Sequence, residues 1–257
     1  MNGFAIDWGD SSSPARVALR ERIATTLPAQ SLSGVRLDHE LRTSLGEPAG
    51  ALVLLHGRGA DERDLIPFLD VLDPRRRLVG ITPGGPLALP PGGRHWYVVP
   101  RVGFPDPRTF AESYALLCEL VDAIPESLGV PYERIVLGGF SQGAVMSYAL
   151  ALGPGRPSPA ALVALSAFVP TVEGWAPDLD GRAGLPVWIA HGRRDPVISV
   201  EFARSARELL TSAGLDVAYH ESDAAHHVDP RSLEQLGEWV ASAVARGTSA
   251  SRRRCPG

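Results

Sequence analysis

The stretch 134–143, RIVLGGFSQG, decides which fold this sequence can adopt. Its first four residues predict a short buried strand, and the apolar residues 142–152 predict a helix. Between them lies Gly-x-Ser-x-Gly, a pattern that places Ser141 at the tip of a sharp turn where glycines leave room for close backbone. The turn exposes the hydroxyl at a helix N-terminus, which favours a developing anion. This setting favours a nucleophile over a Gly-rich turn that a serine merely caps.

Outward from this turn, apolar strands alternate with amphipathic helices. Continuous apolar runs at 51–56 and 185–191 are typical of strands that are covered on both faces. The alternation predicts an α/β fold with a mostly parallel central sheet and helices on both faces. The other predicted strands are 35–43, 78–82, 134–137, 160–166 and 215–221, and the predicted helices are 61–72, 109–124, 142–152, 200–213 and 230–244. The intervening segments are too short for a large cap domain.

The length of 257 residues suits one principal domain. We assign residues 34–246 to it. Residues 1–33 are interpreted as an N-terminal extension with a helix over 14–27, and residues 247–257 as a C-terminal tail. In α/β sheets of this kind, chemistry is concentrated at the carboxyl ends of the strands. Candidate functional residues are therefore expected just after each apolar run.

Composition excludes several classes of function. All 25 basic residues are arginine, so mechanisms that need a lysine, such as a Walker-type phosphate loop or a pyridoxal Schiff base, are excluded. A net charge of −4 argues against binding to nucleic acid. The two cysteines, Cys118 and Cys255, form neither a disulfide framework nor a zinc site. We expect no metal, and a reducing, cytoplasmic compartment.

One stretch must be weighed as a membrane span. Residues 135–155 contain no charge and are numerous enough to cross a bilayer. Glycines and polar residues interrupt the run, so a buried strand, a turn and a buried helix explain it better. The first 13 residues lack the positive charge and apolar core of a secretory signal. Stable membrane insertion is therefore not expected.

A serine hydroxyl needs a base, which is usually a histidine oriented by a carboxylate. In this fold the expected chain order is serine, acid, histidine. Asp195 lies in a turn just after the predicted strand 185–191 and precedes a proline. By its position alone, Asp195 is equally well explained as a helix-capping or turn residue as it is as the carboxylate that orients the base. Asp223 and Asp229 are rival acids, but both lie too close in sequence to the base.

Two histidines follow the last predicted strand, His226 and His227, and they cannot both face Ser141. The other histidines at strand ends or within a strand, at positions 56, 191 and 220, are interpreted as structural. An adjacent pair of histidines lacks the spacing that places two metal ligands on one face.

Other loops can supply the remaining parts of an active site. The Gly-flanked turn after strand 51–56 can present the Arg58 backbone N–H, which together with the Gln142 N–H would form an oxyanion hole. The Pro- and Gly-rich segment 83–107 carries Trp96 and Phe104, and a second loop carries Phe168. We predict that these aromatic residues contact the substrate. They would equally serve to hold their loops in place.

Four motifs together resemble the carboxylesterase/phospholipase family of α/β hydrolases, to which acyl-protein thioesterases belong. They are LHGRGAD at 55–61, GFSQG at 139–143, HGRRDPV at 191–197 and AHHV at 225–228. The resemblance covers about residues 48–242. It implies that His226 is the base, in a segment where Ala225 replaces the family's glycine. It also implies hydrolysis of short- to medium-chain esters or thioesters, no cofactor, and often a homodimer.

The predicted function is therefore that of a serine hydrolase acting on a small-molecule ester. Ser141 would attack the carbonyl carbon, His226 would act as base and Asp195 would orient the imidazole. A thioesterase or lysophospholipase would use the same residues. A member of a different class, a protein that binds a small ligand on a hydrolase fold without turnover, is disfavoured by the complete set of three residues.

Overall fold

The computed structural model describes residues 31–254 apart from residue 33. The helix predicted over 14–27 lies outside the described residues. A seven-stranded sheet forms the centre, in the order β1-β3-β2-β6-β7-β8-β9. The strands of this sheet and of a separate two-stranded hairpin are β1 (His39–Arg42), β2 (Gly50–Leu55), β3 (Leu78–Pro83), β4 (Leu87–Ala88), β5 (Arg94–His95), β6 (Ile135–Phe140), β7 (Ala161–Leu165), β8 (Pro186–Gly192) and β9 (Asp216–Ser222).

Five α-helices are described: α1 (Ile66–Leu72), α2 (Pro107–Leu128), α3 (Gln142–Leu152), α4 (Val200–Ser212) and α5 (Leu233–Arg254). They cover both faces of the sheet, because each central strand is apolar on both sides. On β2, Val53 and Leu55 join the core that includes α2, α3 and α4, whereas Leu52 and Leu54 join the core that includes α1 and α5. The described part of the chain thus forms a mostly parallel sheet with helices on both faces, and it contains no large cap domain.

All neighbouring strands of the main sheet are parallel except β1, which pairs antiparallel with β3 at one edge. The fourth strand in the order is β6, which lies between β2 and β7. The parallel arrangement brings the carboxyl ends of β2, β6, β7, β8 and β9 to the same edge. The loops that carry the predicted site residues therefore start from adjacent strands.

The uncharged stretch 135–155 divides into β6, a turn and α3, and almost all of it is buried in the protein core. The interpretation as strand, turn and helix is confirmed. Every helix of the described residues is too short or too polar to cross a membrane.

Several boundaries differ from the sequence-based predictions, and three of them concern helices near the candidate site residues or the chain end. The helix predicted from residue 61 begins at Ile66, because Asp61 and Asp64 accept hydrogen bonds from nearby backbone N–H groups and form turns instead. The helix predicted from 109 begins at Pro107, since Asp106 caps it. The last helix, predicted over 230–244, begins at Leu233 after a single 3-10 turn and continues to Arg254.

Candidate active site

Ser141 occupies a strained turn between β6 and α3. Its backbone has φ 54° and ψ −123°, a region that costs a non-glycine residue about 1–3 kcal/mol. Its N–H donates to the Leu165 carbonyl oxygen at 2.9 Å, and its carbonyl oxygen accepts from Val145 N–H at 3.1 Å. These bonds tie the turn to β7 and to the first turn of α3. The side chain is thereby held at the helix N-terminus.

The two glycines of the pentapeptide are required by close packing against the end of β2. A Cβ atom on Gly139 would lie 2.6 Å from the Leu55 carbonyl oxygen, and one on Gly143 would overlap the same oxygen. Any side chain at either position would push the turn away from β2. The pattern Gly-x-Ser-x-Gly is therefore explained by backbone proximity at this turn.

Three side chains that are far apart in the sequence meet at this edge of the sheet. The Nε2 atom of His226 lies 2.9 Å from Ser141 Oγ, and its Nδ1 atom lies 2.7 Å from Asp195 Oδ2. A carboxylate can only accept, so Nδ1 carries the proton and Nε2 is free to accept from the serine hydroxyl. This is the arrangement that a base acting on Ser141 requires.

The Asp195 carboxylate is completely buried, whereas His226 is partly accessible. Oδ1 accepts from the backbone N–H groups of Val197 and Ile198, and Oδ2 accepts from His226. Burial raises the pKa of Asp195, but the hydrogen bonds from His226 and the backbone outweigh it, so the pKa lies below its ordinary value. The carboxylate therefore stays ionised, which stabilises a protonated imidazole.

Three of the remaining histidines have backbone or aromatic partners, although His191 Nε2 also lies 3.4 Å from Asp195 Oδ2. His56 bonds to the backbone of Gly57, His191 Nε2 lies 2.8 Å from the Ile198 carbonyl oxygen, and the His220 ring stacks on Trp188 with centroids 3.9 Å apart. Burial lowers the pKa of each of these three histidines. Their interpretation as structural residues fits these contacts. His227 is exposed and lines a cavity of about 440 Å³ to which Ser141 does not contribute.

The predicted oxyanion donors lie beside the serine. Gln142 is the first residue of α3, where backbone N–H groups have no partner within the helix. Arg58 follows Gly57, whose Cα is so close to the turn that an added Cβ would lie 3.4 Å from Ser141 Cβ. Both peptides thus flank the serine side chain. Their role as donors stays a prediction.

The three predicted aromatic contacts differ in their surroundings. Trp96 is fully buried, and its indole N–H donates to the His56 carbonyl oxygen at 2.8 Å. This placement favours the alternative interpretation, an anchor for the loop, because a ring with no exposed surface cannot touch a substrate in this conformation. Phe168 is also buried, so the same interpretation applies to it, whereas Phe104 is 41% exposed beneath the Arg101 guanidinium.

Two phenylalanines near these residues escaped the sequence analysis. The Phe140 ring packs on the His226 imidazole with centroids 4.9 Å apart, so it helps to set the orientation of that ring. Phe202 on α4 lies 5.3 Å from the Phe168 ring, and a Cβ on Gly103 would meet it at 2.9 Å. The only signal for Phe202 was a large aromatic residue near the start of an amphipathic helix. Phe140 was hidden inside the Gly-x-Ser-x-Gly motif as a variable position.

The described residues contain no cluster of three or more His, Cys, Asp or Glu side chains that could hold a metal ion. The chemistry that this arrangement supports uses a polarised hydroxyl, an imidazole and backbone N–H donors. Such a set is suited to attack on an acyl carbon.

Known proteins share both the sequence pattern and the fold. The profile of the phospholipase/carboxylesterase family matches residues 40–243. Acyl-protein thioesterase 1 of Debaryomyces hansenii is 28% identical over 200 residues, which are 69% of this chain and 83% of that protein. The crystal structure of a Bacillus cereus carboxylesterase superposes with a TM-score of 0.70 at 24% identity, covering 82% of this chain and 96% of the other. A carboxylesterase from Mesorhizobium loti gives a TM-score of 0.69 at 20% identity, with 81% and 96% covered.

The family profile spans most of the chain, including the strands that carry Ser141, Asp195 and His226. The structural likeness independently supports the fold. The chain therefore belongs to the phospholipase/carboxylesterase family of α/β hydrolases.

Proposed function

We propose that this protein hydrolyses short- to medium-chain carboxylic esters through an acyl-enzyme intermediate. The observation that carries the proposal is the unbroken hydrogen-bond chain from Ser141 Oγ through His226 to Asp195. Family membership supports the same reaction class. The chain of hydrogen bonds supplies a nucleophile, a base and the group that orients the base, which together define serine hydrolase chemistry.

In the first half of the reaction, His226 Nε2 takes the hydroxyl proton while Ser141 Oγ forms a bond to the ester carbonyl carbon. The carbonyl oxygen becomes an oxyanion, which the N–H groups of Arg58 and Gln142 stabilise. The tetrahedral intermediate collapses, the bond to the alcohol breaks, and the imidazolium returns its proton to the departing alkoxide. An acyl group remains on the serine.

In the second half, His226 takes a proton from water as the water oxygen attacks the acyl carbon. Collapse of the second tetrahedral intermediate releases the carboxylic acid and returns the proton to Ser141 Oγ. Asp195 stays ionised throughout and stabilises each imidazolium. The steps use only groups of this chain and water.

For the acyl chain, we propose a site at the exposed ring of Phe104, supported from behind by the buried Phe168 and the partly buried Phe202. The contact between the Phe168 and Phe202 rings, and the packing of the 101–104 turn against Phe202, support a common apolar wall. An acyl chain of limited length would lie along this wall. Trp96 would not touch the acyl chain but would hold its own loop in place.

Thioester hydrolysis is the second candidate, because relatives such as the Debaryomyces hansenii protein are acyl-protein thioesterases. The same three residues would perform that reaction. Parallel assays on nitrophenyl esters and acyl thioesters of matched chain length distinguish the two. A ratio of kcat/KM above about 10 for either class identifies the preferred substrate.

The decisive experiment replaces Ser141 with Ala and measures hydrolysis of nitrophenyl esters from acetate to decanoate. We expect the activity to disappear while the thermal unfolding curve stays close to that of the wild type, because only one hydroxyl is removed. Labelling of the wild type by a fluorophosphonate probe, and none of the variant, is expected as well. Ester hydrolysis by the variant at the wild-type rate would refute the assignment, and an unlabelled wild type would indicate a binding protein.

A further inference from the structure

The turn after β2 contains a histidine whose two ring nitrogens both have backbone partners. The Gly85 N–H donates to His56 Nε2 at 2.9 Å, so this nitrogen carries a lone pair. His56 Nδ1 lies 2.7 Å from the Gly57 carbonyl oxygen, which can only accept. The proton therefore resides on Nδ1. Burial lowers the pKa of His56 and keeps the ring in this neutral form.

The direction of the Gly57–Arg58 peptide unit is fixed by two bonds to the Gly57 carbonyl oxygen, the 2.7 Å bond from His56 and a longer bond of 3.3 Å from the Ala60 N–H. In a trans peptide the carbonyl and the following N–H point in opposite directions. Because the Gly57 carbonyl oxygen faces the His56 ring, the Arg58 N–H must face away from it. The packing of Gly57 against the Phe140 ring and Ser141 Cβ, at 3.0 and 3.4 Å from an added Cβ, places this peptide beside the nucleophile.

Residues of the loop 85–97 form hydrogen bonds both with His56 and with the side chain of Gln142, whose backbone N–H is the second predicted oxyanion donor. The Trp96 indole N–H donates to the His56 carbonyl oxygen, and the Trp96 backbone N–H donates to Gln142 Oε1 at 3.1 Å. Gln142 Nε2 donates to the Tyr97 carbonyl oxygen at 2.9 Å. All of these residues are buried. One continuous set of bonds thus runs between the two peptides that flank Ser141.

We infer that His56 is a positioning residue whose Nδ1–H orients the Gly57–Arg58 peptide so that the Arg58 N–H faces the oxyanion. This inference rests on the proposed function, because it needs an oxyanion at Ser141. The His56 imidazole would then contribute to stabilisation of the transition state and not to substrate binding. Loss of the Nδ1–H should therefore lower kcat and leave KM nearly unchanged.

Two variants separate the bonds of His56. In His56→Asn, the side-chain amide nitrogen can occupy the position of Nδ1 and still donate to Gly57. In His56→Gln, the amide oxygen can occupy the position of Nε2 and accept from Gly85, but the donor to Gly57 is lost. We expect kcat on a nitrophenyl ester to fall about 10–100-fold in His56→Gln, since removal of a whole oxyanion donor costs about 100–1000-fold. The fall in His56→Asn should be at least several-fold smaller.

A matched control is His39→Gln on the edge strand, whose ring bonds to the Leu37 carbonyl oxygen far along the chain from the serine turn. It should keep the wild-type kcat. Equal kcat in both His56 variants, whether at the wild-type value or lowered, would overturn the inference. So would a fall in kcat/KM that arises from KM alone.

The ring of the wild-type protein gives a test that does not depend on folding of the variants. Through-bond assigned ¹⁵N–¹H spectra of the imidazoles should show His56 protonated at Nδ1. Protonation at Nε2 or at both nitrogens would overturn the inference. Ser141→Ala, assayed in parallel, distinguishes failure of the proposed function from failure of the positioning role. Hydrolysis by Ser141→Ala at the wild-type rate refutes the proposed function, whereas an inactive Ser141→Ala with a fully active His56→Gln refutes only the positioning role.

Discussion

Replacing Asp195 with Asn probes the hydrogen-bond chain at its buried end. The two oxygens of Asp195 have different partners: Oδ1 accepts from the N–H groups of Val197 and Ile198, and Oδ2 accepts from His226 Nδ1. An asparagine must keep its side-chain oxygen facing the two backbone N–H groups, because the opposite orientation would point its NH₂ group at these two donors. Its NH₂ group then faces His226.

This orientation changes the tautomer of His226. An NH₂ group donates, so Nδ1 must become the acceptor and the ring proton must move to Nε2. Nε2 would then present a proton to Ser141 Oγ and could no longer accept one. The same substitution in a serine protease triad lowers kcat by about 10⁴-fold, which corresponds to about 5 kcal/mol of transition-state stabilisation. We expect a loss of that order here, because the two backbone donors leave the amide no alternative.

The assay is kcat on a nitrophenyl ester at pH 7.5, with thermal unfolding to confirm that the variant folds. Asp223→Asn is the matched control, since Asp223 also follows a strand of this edge but its side chain is 61% exposed and pairs with Arg193. The control should stay within about two-fold of the wild type. An Asp195→Asn variant whose kcat falls less than 10-fold would refute the reasoning that the carboxylate sets the tautomer.

Three further outcomes are expected. A hydrogen bond from Arg204 lowers the pKa of Glu221 to about 2, below its ordinary value of about 4.3. The ionised carboxylate therefore stabilises the fold fully above about pH 4.3, and this stabilisation is lost as the pH falls towards 2. The difference in melting temperature between wild type and Glu221→Gln should therefore shrink from pH 7 to pH 2.5, and an unchanged difference would contradict this. Gly143→Ala should lower the free energy of unfolding, measured by denaturant titration, by about 3 kcal/mol, because the new Cβ would overlap the Leu55 carbonyl oxygen. Gly92→Ala is the control: its Cβ would meet nothing within 4 Å, so the free energy of unfolding should change by less than about 0.5 kcal/mol. Phe104→Ala should raise KM about 10-fold for octanoate but not for acetate esters, and an equal change for both would exclude it from the acyl site.

The architecture was predictable from the sequence because its signals are local. Uncharged apolar runs predict strands that are buried on both faces, and β2, β6, β7 and β8 lie where those runs are. Boundaries were less predictable where short-range polar bonds compete with the helix. At Asp61, side-chain acceptors form turns that delay the start of α1 to Ile66.

The turn at Ser141 was also predictable, because the spacing of its glycines reflects backbone contacts within one strand, one turn and one helix. What the tertiary structure alone decided concerns residues brought together from distant segments. At Asp195, a capping aspartate and an acid that orients a base were equally compatible with the sequence. Only the folded structure brings its buried Oδ2 to within 2.7 Å of His226 Nδ1.

The sequence by itself therefore determined the α/β order, the sharp turn and a short set of candidate residues for one edge of the sheet. The tertiary structure decided that His226 and not His227 reaches Ser141, and that Trp96 holds a loop from within the core. The physical reason is range: periodicity and turn chemistry act between neighbours in the chain. Hydrogen bonds between side chains 31 and 85 residues apart exist only after the strands have assembled.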